Sequence, residues 1–72
     1  MNLEWQSVNS EMIDAEAYDP DTERIYLRFK DGKEYYYESC PLEIWEEFTA
    51  DGQSRGKYFH SVLKFKNTGR YS

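Results

Sequence analysis

Cysteine, histidine and proline are scarce in this 72-residue chain, and its apolar runs are short. Each scarcity excludes something. Cys40 is the only cysteine, so no intrachain disulfide can form. His60 is the only histidine, so the Cys/His sets that hold structural zinc are missing, and no metal is expected. No stretch approaches the ~20 apolar residues of a membrane helix. The opening "MNLEWQSV" lacks a basic end followed by an apolar run, so no secretory leader is expected. A lone thiol without an export signal points to a reducing, cytoplasmic compartment. Internal repeats and low-complexity tracts are absent.

A chain of this length is a single domain, taken as residues 1–72. A domain so small buries only ~60% of the surface its unfolded form exposes, and it usually needs a staple. Aromatic weight is the available substitute. Seven Tyr, four Phe and two Trp are present, and each such ring can bury ~150–250 Å².

The net charge of −5 is unevenly laid out. Residues 1–22 carry six acids and no Lys or Arg, residues 23–40 balance four against four, and residues 41–52 add four acids. Residues 53–72 carry only bases: Arg55, Lys57, Lys64, Lys66 and Arg70. Such a layout excludes a polyanion binder that uses its whole surface and leaves room for a local basic patch.

Ile25, Leu27 and Phe29 alternate with Arg24, Tyr26, Arg28 and Lys30, the period of a half-buried strand. "FKDGKEYYYES" then turns the chain and continues it through three consecutive tyrosines. A two-residue Asp31-Gly32 loop would set Phe29 opposite Glu34 and Ile25 opposite Glu38, facing two carboxylates into the core. A three-residue Lys30-Asp31-Gly32 loop with a left-handed Gly32 instead sets Leu27 opposite Tyr35 and Ile25 opposite Tyr37. Cross-strand pairs contribute only ~0.2–1 kcal/mol each. An unpaired buried carboxylate costs several times more, so the longer loop is favoured. Tyr35 and Tyr37 then pack inward, while Tyr26 and Tyr36 lie on a solvated face beside Arg24 and Arg28.

Upstream, Ile13, Ala15 and Ala17 alternate with Asp14, Glu16 and Tyr18 as another strand, and "YDPDTE" supplies a turn. "LEWQSV" adds a short strand. After the sheet the period changes. Pro41 stands at a first helical position, with Leu42, Ile44, Trp45 and Phe48 on one stripe, Glu43, Glu46 and Glu47 facing water, and Asp51-Gly52 at the end. "QSRGKYFHSVLKFK" reads as a second helix capped by Ser54, with Phe59, Val62 and Leu63 inward; the tail from Asn67 to Ser72 is expected to fray. Trp5 and Trp45 are assigned to the core. The sum is an α+β fold, an antiparallel meander of three to four strands followed by two helices packed on one face.

This order of elements resembles the KTSC domain, named for the C-terminal domain of some lysyl-tRNA synthetases and found also as small free-standing bacterial and phage proteins. The resemblance rests on "WQSVNSEMIDAEAYDPDTERIYLRFKDG", the Tyr-x-Tyr of Tyr35 and Tyr37, Pro41, and "SRGKYF" with Tyr58 and Phe59. It covers nearly the whole chain. The family's function is undetermined, and RNA binding has been suggested for it. The resemblance therefore implies a non-enzymatic interaction module working with RNA or with RNA-handling proteins.

Two clusters are candidate binding residues. Arg24, Tyr26, Arg28 and Tyr36 would form a stacking platform on the solvated sheet face. Ser54, Arg55, Gly56 and Lys57 would gather backbone N–H groups and cations at a helix start, with Lys64, Lys66 and Arg70 extending the basic surface. No catalytic constellation is visible: Cys40 has no activator beside Pro41, and His60 has no assignable nucleophile. No cofactor is implied. The alternative is an acidic regulator that uses Glu11, Asp14 and Glu16 to occupy a basic surface on a target protein. Nothing in the sequence bears on oligomeric state.

Overall fold

The turn at Gly32 sets the sheet. In the computed structural model, which describes residues 3–72, strand β3 (Arg24–Phe29) and strand β4 (Glu34–Tyr37) pair antiparallel. Ile25 stands opposite Tyr37, Leu27 opposite Tyr35 and Arg28 opposite Glu34. Gly32 lies at φ +88°, and its N–H donates to the Phe29 carbonyl at 2.9 Å. Phe29 N–H donates in turn to the Lys33 carbonyl at 2.9 Å. This is the longer loop, which keeps Glu34 and Glu38 off the core face.

Strand β2 (Ile13–Asp19) pairs antiparallel with β3, and a short strand β1 (Gln6–Ser7) pairs with β2. The alternation expected in β2 does not hold, because the register shifts between Ile13 and Ala15. One extra residue there is a β-bulge, and beyond it inside and outside exchange. Ile13 faces the core across from Phe29, but Ala15 and Ala17 then lie on the opposite face, and Glu16 and Tyr18 turn inward.

The chain continues through helix α1 (Leu42–Phe48), helix α2 (Arg55–Ser61) and a 3-10 turn (Leu63–Phe65). Pro41 sits one residue before the first helical turn, at ψ 170°, and its carbonyl accepts from Ile44 N–H at 2.9 Å. Ser54 caps α2 as expected, its Oγ accepting from Lys57 N–H at 3.3 Å. Both helices pack on one face. There Ile13, Ile25, Leu27, Tyr37, Cys40, Phe48, Tyr58 and Leu63 form the core. Trp45 is half-buried and stacks on Tyr18 at 5.3 Å, while Leu42, expected on the buried stripe, is 51% exposed.

The last segment does not fray. Thr68–Arg70 forms β5, paired antiparallel with β4, so the sheet has five strands in sequence order rather than three or four. Gly69 makes this possible. A Cβ at that position would overlap the ring of Tyr36, its cross-strand partner. The absent side chain lets the ring lie flat across the strand. Tyr71 N–H adds a bond to the Glu34 carbonyl at 2.8 Å.

Candidate functional site

The open face of the sheet carries the first candidate cluster, but not as a bare platform. Arg24 bonds Glu38 at 2.7 Å and lies 4.2 Å from the Tyr36 ring centre. Arg28 bonds Glu34 at 2.6 Å and lies 4.5 Å from the Trp5 ring centre. Tyr26, expected in solvent, is 1% exposed. Two observations explain the burial. Small Ala17 is its cross-strand partner on β2, and Tyr71 packs edge-on against it at 5.0 Å. Trp5, assigned to the core by sequence, joins this second layer 6.4 Å from Tyr71. Both arginines are thus ion-paired, and each already faces a ring of the protein itself.

The second cluster divides. Arg55 donates from Nε and Nη2 to the two Glu16 carboxylate oxygens, both at 2.8 Å. The Glu16 side chain is 3% exposed, and its proximity raises the Arg55 pKa further above the ordinary guanidinium value. The bulge in β2 creates this pair, because it turns Glu16 to the face on which α2 lies. Arg55 consequently ties helix to sheet. The acidic triplet weighed against a basic target is also divided, since Asp14 stands 3.6 Å from Lys30 and Glu16 is buried.

Gly56 lies close to Met12: a Cβ there would stand 3.6 Å from its sulfur. Between the Ser7–Met12 loop and the start of α2 runs a groove of about 920 Å³, with Lys57 and His60 among its lining residues. Lys64 is on the 3-10 turn and Arg70 on β5. Arg55 and Lys57 share α2, so the four cations Arg55, Lys57, Lys64 and Arg70 are spread over three elements.

The charge inventory divides along the chain. Of the nine Lys and Arg, five pair with carboxylates: Arg24, Arg28, Lys30, Lys33 and Arg55. Among the described residues, Lys57, Lys64, Lys66 and Arg70 have no Asp or Glu side chain within 4.0 Å. Among the described residues, every Lys or Arg without a side-chain carboxylate partner therefore lies beyond Gly56. Arg70 donates to the Ser72 main-chain oxygen at 2.9 Å and lies 5.5 Å from the Tyr35 ring centre.

One residue in this region escaped the sequence reading. Phe65 is 74% exposed. A signal was available: in a helix, residues two apart point ~200° away from each other, so Phe65 could not share the inward face of Leu63.

The lone thiol and the Tyr58 phenol lie inside the fold. Cys40 is fully buried, and burial raises its thiol pKa above the ordinary value. Its Sγ stands 3.5 Å from the carbonyls of Tyr37 and Glu38. Tyr58 is pushed up to about 12 by burial and by its 2.7 Å bond to Glu47, which keeps it a neutral donor. Among the described residues no cluster of three or more His, Cys, Asp or Glu side chains could hold a metal, and no helix is long and apolar enough to cross a membrane.

The family model for the KTSC domain matches residues 9–71. The chain belongs to the KTSC domain family. The crystal structure of a KTSC domain protein from Yersinia pestis superimposes with a TM-score of 0.89 at 25% identity, covering 99% of this chain and 100% of that one. A Tsukamurella paurometabola protein is 34% identical over 59 residues, 82% of this chain and 87% of that protein. A lysine–tRNA ligase from Nostoc is 38% identical over 52 residues, which are 72% of this chain but 9% of the ligase. Sequences similar to this chain thus occur both at about this size and as a minor part of a much larger protein.

Proposed function

We propose that this KTSC domain is a non-catalytic, cytoplasmic interaction module that contacts RNA through its C-terminal end. The observation that carries the reading is the charge inventory. Each Lys or Arg up to Arg55 stands within 3.9 Å of a carboxylate, and those of the described residues without a side-chain carboxylate partner all follow Gly56. A local unpaired basic segment attracts a polyanion even where the net charge is −5. The relative on a lysine–tRNA ligase supplies the RNA-handling context.

Fluorescence titration with tRNA and with single-stranded RNA at two salt concentrations tests this. If Lys57, Lys64, Lys66 and Arg70 all meet phosphates of a single strand, affinity falls by about fifty-fold between ~50 and ~200 mM salt. Replacing those four residues with Gln abolishes the effect. Absence of binding at ~50 mM salt removes the proposal.

A further inference from the structure

Among the described residues Phe65 is the most exposed of the large apolar side chains, at 74% against 51% for Leu42 and 45% for Tyr71. Its backbone is nevertheless held. Leu63, two residues earlier, is fully buried, Phe65 N–H donates to the Val62 carbonyl at 3.3 Å, and Lys66 N–H donates to Leu63 at 3.0 Å. The tight turn therefore presents the ring from an anchored base. Lys64 and Lys66 flank it in the chain, both without a side-chain carboxylate partner, and Lys64 Nζ lies over one face of the ring, 5.3 Å from its centre, leaving the other face for a base. Lys66 and Asn67 then lead directly into β5, where Arg70 lies.

Resting on the reading of an RNA-binding module, we propose that Phe65 is a stacking site for one unpaired base, with Lys64 and Lys66 meeting the adjoining phosphates. A π-face with one ammonium group at the ring and a second lysine next in the chain is the pairing that single-stranded nucleic acid recognises: the ring takes the base and the cations take the backbone. Any base offers such a face, so sequence preference is weak. A duplex hides its base faces in the stack and cannot reach the ring. The open sheet face lacks this combination, because its arginines are paired and its central tyrosine is covered.

The test is titration of the full chain with fluorescently labelled oligouridylate and with a duplex of matched length. Wild type binds the single strand more tightly than the duplex. Phe65→Ala weakens single-strand binding by about 5- to 150-fold, the range one stacked base supplies, while the salt slope stays unchanged. Phe65→Trp retains binding and shows its fluorescence quenched by the oligonucleotide. Lys64→Gln with Lys66→Gln lowers the salt slope instead. Thermal melts matching wild type establish that each variant is folded. Wild-type affinity in a folded Phe65→Ala, or equal affinity for duplex and single strand, overturns the stacking site while leaving RNA binding intact. Failure of the wild-type chain to bind either RNA at low salt overturns the functional reading itself.

Discussion

The two faces of the sheet are buried by different means. On one, helices cover Ile13, Ile25, Leu27 and Tyr37, and the packing is that of an ordinary apolar core. On the other no helix is present, yet Ala15, Ala17 and Tyr26 are just as inaccessible. Trp5, before β1, and Tyr71, after β5, supply the cover, while Arg24 and Arg28 lie over rings with their charges answered by Glu38 and Glu34. A chain too short for a second layer of helices can close a sheet face with planar groups laid flat, because guanidinium and aromatic planes stack while their polar edges stay wet. The contact surface proposed above lies on neither face but on the turn and edge beyond α2.

The largest way to break the contrast is at the buried Glu16–Arg55 pair on the helix side. Glu16→Ala strands Arg55 against the core and is expected to cost ~3–5 kcal/mol in urea denaturation, whereas the double change Glu16→Leu with Arg55→Met regains most of it. Glu16→Lys is more damaging still, so it cannot serve as a surface-charge probe. On the open face, Gly69→Val drives a side chain into the Tyr36 ring and is expected to cost ~1–3 kcal/mol by the same measurement. Adding Tyr36→Ala to that variant relieves the overlap, so the two changes are non-additive.

Tyr58 gives a pH-dependent prediction on the helix side. Its folded pKa of about 12 lies above the ordinary 10.0, so the unfolded chain ionises first. Stability is unaffected below pH 10 and falls as pH rises from 10 toward about 12. Tyr58→Phe, expected to cost ~1 kcal/mol at neutral pH for the lost bond to Glu47, flattens that alkaline decline in denaturation curves taken across the range. The smallest stability effect belongs to Phe65→Ala, within about 0.5 kcal/mol, because an exposed ring has little packing to lose. A larger loss would place Phe65 with the core rather than with the surface.

Much of this was legible in the residues. The β3–β4 register followed from the cost of burying Glu34 and Glu38, and the Ser54 cap from its position before Arg55. The bulge in β2 was not legible. Ile13, Ala15 and Ala17 alternate like one face, and alanine is small enough to fit either side. The direction of Glu16 was decided by Arg55, 39 residues away. Strand β5 was missed because "TGR" has neither length nor β-branched weight, and its fit depends on a ring from another strand. Tyr26 was read as solvent-exposed because nothing local indicates that Trp5 and Tyr71 converge above it.

By itself the sequence determined the class of fold, the hairpin register and the inward direction of Tyr35 and Tyr37, since alternation, a left-handed glycine and the cost of a buried carboxylate are local quantities. Which charges are free was decided only by the tertiary structure. An ion pair depends on distance in space, and the bulge, the return of β5 and the docking of α2 together set which cations found a carboxylate and which were left to solvent.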